Sequence, residues 1–327
     1  MDALLQAQNL AISYHAGDDA ETPAVVGVTF QLHPGEAVGL LGESGCGKTT
    51  TALSVPRLLP RSARVIQGQI LFQGRDLLQL SRRDMDKIRG REISMIFQEP
   101  SIALNPVICV GDQVAEVVRA HRSWGRRRCR AEAESLLSQV RLHDVVRVYR
   151  AYPNELSGGQ NQRILIAQAL ACEPSLVIAD EPTTGLDTET QAEILDLLRD
   201  LKTKSRTAFL FISHHPGVLA GLVDRVLVMY AGRIVEEGYL LEVYRSPKHP
   251  YTQGLLMSMP KKPDAGVECV RERLVPVAGS PADMNDLAAG CPFVPRCPVR
   301  MDVCRLHEPQ FTELDGGRRV RCFAYGN

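Results

Sequence analysis

A chain of 327 residues, 44% hydrophobic and 23% charged, can bury a large core; this excludes a disordered chain and suggests one big domain or two smaller ones. Lys plus Arg equals Asp plus Glu at 38 each, so no global field draws the chain to nucleic acid or anionic lipid, and any partner must be recognised locally. No apolar stretch approaches the roughly 20 residues that span a bilayer, and the start MDALLQAQNLAISY lacks a basic region, a long apolar run and a small-residue cleavage site, so a cytosolic location is expected.

Residues 9–41 alternate apolar and polar positions between turn signals at Ala16-Gly17-Asp18-Asp19 and His33-Pro34-Gly35, which predicts short strands and hairpins. Glu36 to Leu41 is a short apolar run ending at a glycine, as a buried strand does, and a loop and helix are expected after it. From Pro106 to about Arg150 the pattern turns helical, with Val110, Val114, Val117 and Val118, then Leu136, Leu137 and Val140. Apolar strands follow at Leu176–Ala179 and Phe209–Ile212, separated by the helical stretch Glu189–Lys204, and a third at Arg225–Tyr230. Strand and helix alternate here, which predicts a parallel sheet with flanking helices. After about Glu242 repeated prolines break any long element, so a separate, loop-rich tail is expected. No repeat with a period of tens of residues is visible. The basic run Arg119–Arg130, with Arg122, Arg126, Arg127, Arg128 and one aromatic, Trp124, is compatible with RNA or lipid headgroups, but a solvated face of the helical region is the preferred reading.

Three motifs carry chemistry. Gly42-Glu43-Ser44-Gly45-Cys46-Gly47-Lys48-Thr49 fits G-x-x-x-x-G-K-[ST] after a strand and at the opening of a helix that Thr50 continues. In this pattern glycines let backbone N–H groups wrap phosphates, Lys48 reaches the β- and γ-phosphates, Thr49 ligates Mg²⁺, and the helix start adds its positive end. Leu176 to Ala179 runs into Asp180 and Glu181, placing two carboxylates at a strand end: Asp180 for the Mg²⁺ shell and Glu181 to polarise the attacking water. Alone, such a pair is weak, since strands often end in surface acids; beside the phosphate loop it gains weight. Leu156-Ser157-Gly158-Gly159-Gln160, before an apolar helical run, offers a hydroxyl and unhindered N–H groups at a helix start, a second anion site.

With this last motif the chain resembles the ABC ATPases, whose signature is LSGGQ. The resemblance implies an α/β fold: a phosphate-loop (RecA-like) core with an antiparallel β subdomain and a helical subdomain insertion at about 100–171. These lie within an ATPase domain at 1–242, and a Cys-rich C-terminal extension follows at 243–327. It also implies that the signature of one subunit closes on nucleotide held by the phosphate loop of another, so that Ser157, Gly158, Gly159 and Gln160 meet ATP across a dimer. Other family marks follow in order: Tyr14 against adenine, Gln98 in the Q-loop touching Mg²⁺ and water, Gly185-Leu186-Asp187 as the D-loop, and His214 as the switch histidine on the γ-phosphate. Gly185 departs from the commoner Ala or Ser, and His215 from the usual acid, which leaves open a swap of roles between the two histidines.

The tail has its own resemblance. Ser246-Pro247-Lys248-His249-Pro250-Tyr251-Thr252 and the following Leu255-Leu256-Met257-Ser258-Met259-Pro260 look like the segment after the ATPase core in the oligopeptide, dipeptide and nickel importers. In that subfamily a C-terminal cysteine cluster can hold iron and sulfur, and Cys291, Cys297, Cys304 and Cys322 resemble it. The residues themselves leave three readings open, a [4Fe–4S] cluster, zinc or unliganded thiols, because the spacing has no C-x₂-C pair and matches no ferredoxin run. Cys46, Cys109, Cys129, Cys172 and Cys269 are read as structural. The resemblance implies a second ATPase subunit, which is the same or a related chain, two membrane-spanning permease subunits, and an extracytoplasmic solute-binding protein acting indirectly, with this chain peripheral at the cytoplasmic face of the bacterial inner membrane. The expected activity is ATP hydrolysis driving import of peptides or related solutes such as nickel. The rivals are a soluble ABC ATPase acting on nucleic acid or ribosomes, opposed by the neutral charge and single cassette, and a metal-sensing regulator in which ATP is only a control signal.

Overall fold

Hydrophobic alternation at the N-terminus produces a curled antiparallel sheet. In the computed structural model, which describes residues 2–16, 20–259, 277, 279, 280, 282, 284 and 289–326, β1 (Leu5–Ala16) pairs with β2 (Ala20–Leu32). On its other side β1 pairs with β4 (Ala63–Phe72), which pairs with β5 (Arg75–Asp76), giving the order β2-β1-β4-β5. The turn at Gly17–Asp19 and Cys269 lie outside the described residues. These first strands are long where turn signals predicted short ones. Register shifts between Ala7 and Leu10 absorb Asn9 at positive φ, so the ladder continues past a residue that would otherwise end it. Leu5, Ala7, Leu10 and Ile12 all stay buried as a result.

The second sheet has eight strands in the order β11-β12-β10-β9-β3-β8-β7-β6. Its parallel portion is β9 (Arg225–Tyr230), β3 (Ala37–Leu41), β8 (Ala208–Ser213), β7 (Leu176–Asp180) and β6 (Ile93–Ile96). Every residue of β3, β7 and β8 is buried, which is why these segments read as unbroken apolar runs: packed elements cover both faces. Helix α1 (Lys48–Ser54) leaves the end of β3, and α2 (Arg82–Ile88) precedes β6. Helix α8 (Thr188–Lys204) links β7 to β8, and the short α9 (Pro216–Leu219) follows β8.

Between β6 and β7 the chain builds α3 (Pro100–Ala103), α4 (Val110–His121), α5 (Arg126–Gln139), α6 (Val145–Arg150) and α7 (Gly158–Leu170). Val110, Val114, Val118 and Leu137 are fully buried there, each burial being worth about 1.5–3 kcal/mol. The basic run sits on the α4–α5 connection. Arg128 lies 3.8 Å and Arg122 5.4 Å from the Trp124 ring, Arg130 stacks on Tyr149, and Arg130 also pairs with Glu134. The arginines are therefore partly used in intramolecular cation–π contacts, as a solvated face requires.

The tail is less separate than its prolines suggest. β10 (Arg233–Tyr239) runs antiparallel to β9, then α10 (Leu240–Arg245) and α11 (Pro250–Met257) follow. Later, α12 (Val303–Leu306) precedes β11 (Thr312–Leu314) and β12 (Arg318–Val320), and β12 pairs with β10 through Glu236↔Val320. The end of the chain thus extends the central sheet. Buried Glu236 fixes the junction: its carboxylate accepts from Lys248 N, His249 N and Arg318, all at 2.9 Å. Among the described residues no helix is long and apolar enough to cross a membrane.

Candidate active site

The loop after β3 is a turn that only glycine permits. A Cβ on Gly42 would stand 2.2 Å from the Met229 carbonyl oxygen, and one on Gly47, at φ 104°, would stand 2.3 Å from that of Ala24. The loop therefore lies directly on β9 and β2, and α1 opens at its end with no acidic residue in its first turn. Lys48 is buried, and its ammonium folds over the loop, donating to the carbonyls of Gly42 (2.8 Å) and Glu43 (2.9 Å). Burial pushes the Cys46 thiol up, which keeps it neutral and in a packing role.

A pocket of about 440 Å³ opens over this loop. Ser44, Gly45, Gly47, Lys48, Thr49 and Thr50 line one wall, Tyr14, Thr22, Pro23 and Ala24 another, and Gln98, Glu181 and Met284 complete it. Its volume suits a small-molecule ligand. The Tyr14 and Thr50 hydroxyls are hydrogen-bonded at 3.1 Å, which holds the ring at the rim. A larger groove of about 1000 Å³, around Leu4, Gly74, Pro174 and Arg206, contains none of the phosphate-loop, Asp180–Glu181 or Ser157–Gln160 motif residues.

Of the two strand-end carboxylates, Glu181 lines the same pocket, and Asp180 is joined to it through Thr49. Asp180 is buried and accepts a hydrogen bond from the Thr49 hydroxyl at 3.3 Å. Burial, aided by the neighbouring Glu181 charge, pushes its carboxyl up to about 6. Hard oxygen donors this close suit Mg²⁺, whose positive charge would hold Asp180 ionised. Glu181 sits at φ 45°, a strained conformation for a side chain of its size. Its Oε2 accepts from Gln98 Nε2 (3.3 Å) and Thr184 Oγ1 (2.9 Å), and its Oε1 lies 2.9 Å from His214 Nδ1. Gln98, Glu181 and His214 thus form one network, while His215 turns back to accept the Gly217 N–H and cap α9. Of the two histidines, only His214 faces the carboxylate.

Ser157 caps α7 through a reciprocal box: its hydroxyl accepts from Gln160 N, and the Gln160 side chain accepts from Ser157 N. Ser157 and Gly158 are exposed. Gly159 is buried because a Cβ there would lie 2.4 Å from Thr190 Cγ2. Asp187 caps α8 by accepting the Thr190 N–H, and that contact holds its carboxyl below the usual range. None of these residues lines the pocket over the phosphate loop.

The tail cysteines converge. Cys291, Cys297, Cys304 and Cys322 line one narrow pocket with His249, Phe293, Val294 and other apolar residues. Burial pushes the Cys291 thiol up to about 11 and raises Cys297 and Cys322, with the other thiols contributing. Among the described residues no three His, Cys, Asp or Glu side chains are arranged around a single metal position. Cys46, Cys109, Cys129 and Cys172 are free thiols elsewhere in the fold.

Sequence reading missed several pocket residues. Thr22, Pro23 and Ala24 carry no motif and reach the site only because β2 lies under the loop. Met284 and Arg296 come from the tail. The Arg296 guanidinium grips the Glu43 carboxylate at 2.7 and 2.8 Å, and the Tyr251 hydroxyl accepts the Glu43 N–H at 2.8 Å.

Comparison with known proteins agrees with this geometry. Residues 25–184 match the ABC transporter family, and residues 235–304 match the oligopeptide/dipeptide transporter C-terminal region. A probable peptide ABC transporter ATP-binding protein of Sinorhizobium fredii is 43% identical over 98% of this chain and 95% of its own. A dipeptide transport ATP-binding protein of Bacillus subtilis is 44% identical over 99% of this chain and 95% of its own. Among solved structures, the dimeric ATP-binding cassette MJ0796, in a post-hydrolysis state bound to ADP and Pi, superposes with a TM-score of 0.65 at 26% identity, covering 72% of this chain and 98% of that one. The chain therefore belongs to the ABC transporter family, in its oligopeptide/dipeptide-transport group of ATP-binding proteins.

Proposed function

We propose that this chain hydrolyses ATP to drive import of peptides, or related small solutes such as nickel, from the inner face of the cell membrane. The observation that carries the reading is the shared pocket: the phosphate loop, Gln98 and Glu181 border one cavity, and Asp180 is joined to it through Thr49 and His214 through Glu181. Relatives named for peptide transport support the cargo class. They do not favour the alternative of a soluble ABC ATPase on nucleic acid or ribosomes.

The geometry supports the following residue roles. Tyr14 flanks the base, the loop N–H groups from Ser44 to Thr50 take the phosphates, and Lys48 exchanges its two carbonyl partners for phosphate oxygens. Thr49 and Asp180, with Gln98 beside them, hold Mg²⁺, which neutralises phosphate charge when bound. Glu181 accepts the proton of the attacking water, and His214 orients Glu181 and reaches the γ-phosphate. Ser157, Gly158, Gly159 and Gln160 complete the pocket of a second subunit, which suits the exposure of Ser157 and Gly158 and the absence of all four from the lining of this chain's own pocket. Two permease subunits convert the resulting closure into transport, with a solute-binding protein supplying cargo. The proposed domain limits are 1–242 for the ATPase and 243–327 for the extension.

The four tail thiols have the donor chemistry of a [4Fe–4S] cluster. In such a cluster each thiolate takes its own iron, so thiols bordering a common apolar pocket suit it better than the tighter shell of one zinc ion. Iron and acid-labile sulfide assays on anaerobically purified protein test this: about four irons, lost in Cys297→Ser, are expected, and zinc or no metal contradicts it. For the ATPase, phosphate release from Mg-ATP is expected from the wild type and not from Glu181→Gln.

A further inference from the structure

The tail reaches the nucleotide site through one residue of the phosphate loop. Glu43 is held at three points: its carbonyl accepts from Lys48, its N–H donates to the Tyr251 hydroxyl, and its carboxylate is clamped by Arg296. Two of the three contacts come from the tail, more than 200 positions away along the chain. The supports are rigid. Tyr251 is fully buried, its ring 4.7 Å from Tyr230 and 5.6 Å from Phe293, and Phe293 meets Tyr230 edge-on at 5.1 Å. Arg296 is buried and lies on the short turn Val294–Arg296, between two of the cysteines that border the tail pocket.

Glu43 is also a carboxylate in a loop that receives polyphosphate. Left unpaired, it would repel the ligand that the loop binds. We propose that Arg296 is a positioning residue of the nucleotide site: by neutralising and holding Glu43 it ties the cysteine-lined pocket to the phosphate loop, so that the state of that pocket sets nucleotide affinity. This rests on the nucleotide reading above. The route is short: a change at Cys291 or Cys297 that shifts the turn carrying Arg296 loosens the clamp on Glu43 and leaves its carboxylate unpaired in the phosphate loop. Regulation of this kind acts on binding, with the catalytic network of Glu181 untouched.

The test measures the Mg-ATP dissociation constant of the purified full chain, with thermal unfolding of each variant as a control on folding. Arg296→Met is expected to weaken binding about tenfold, by leaving one unscreened like charge beside the polyanion. Adding Glu43→Gln to Arg296→Met should restore affinity to within about twofold of wild type, because the charge that needed neutralising is gone. Arg296→Lys, which keeps the charge and loses the paired geometry, should fall between wild type and Arg296→Met. Cys297→Ser should weaken binding in the wild-type background and not in the Glu43→Gln background. Wild-type affinity in Arg296→Met, or no recovery when Glu43→Gln is added to it, would overturn the proposal, since the second outcome means the arginine acts structurally and not through Glu43. No Mg-ATP binding by the wild type would instead overturn the nucleotide reading, and this proposal with it.

Discussion

Asp180 is the residue at which function and stability oppose each other most directly. It is buried at the end of β7 with a single hydrogen bond from Thr49, and its carboxyl is pushed from an ordinary 3.8 to about 6. A raised folded-state value means that the folded protein holds the proton more tightly than the unfolded chain, so this group's contribution to stability is full below pH 4 and is lost as pH rises through 6. At 1.36 kcal/mol per unit, ionised Asp180 costs the ligand-free protein about 3 kcal/mol at neutral pH. Asp180→Asn keeps an acceptor for Thr49 and removes the charge. In urea unfolding with chelator and no nucleotide, the variant should gain up to about 3 kcal/mol at pH 7.5, and the gain should vanish near pH 4. It should also lose Mg²⁺-dependent turnover. Buried His249 complicates each curve alone: burial depresses its imidazole to about 3, so its contribution is lost as pH falls below the ordinary 6.5. That effect is common to both proteins and cancels in their difference. A variant no more stable than the wild type at pH 7.5, or a gain that persists unchanged to pH 4, would refute the electrostatic argument.

Three further outcomes are expected. Gly47→Ala would force a methyl to 2.3 Å from the Ala24 carbonyl at a φ that side chains rarely adopt, so nucleotide binding should be abolished and the melting temperature should fall; calorimetry with Mg-ATP checks this. Ser157→Ala removes half of a capping box on an exposed helix end and should cost about 1 kcal/mol in denaturant unfolding, while the proposed role of the hydroxyl in a partner's site predicts that turnover at saturating ATP falls by far more. Gly290→Ala would bring a methyl to 2.2 Å from the Cys304 carbonyl, which anchors Cys291 N at 2.8 Å; iron retention after anaerobic purification should drop while the nucleotide pocket survives.

Much of this was legible in the sequence because the chemistry is local. The phosphate loop, the Asp180–Glu181 strand end and the Ser157–Gln160 helix start are each contiguous, and each lies in the element that its flanking pattern predicts. The helical insertion was equally visible, since Val110, Val114 and Val118 repeat at helical spacing and pack inward. Contacts made across long separations were not. Nothing near Thr22–Ala24 marks β2 as a wall of the pocket, and nothing near Arg296 points to Glu43. The prolines of the tail suggested a detached appendage, yet β12 pairs with β10 over only two residue positions, and buried Glu236 ties three tail groups to the sheet. Nor does the sequence give the directions of His214 and His215: just past the end of β8 the first meets Glu181 and the second accepts from Gly217.

The most direct test is a comparison of wild type and Glu181→Gln at matched ATP occupancy, following phosphate release and molecular mass in solution. Glu181 carries three hydrogen-bond contacts and the proposed proton transfer, so the variant should bind Mg-ATP as tightly as the wild type, release phosphate at least 10²-fold more slowly, and accumulate as an ATP-held dimer. Turnover at the wild-type rate in Glu181→Gln would contradict the account.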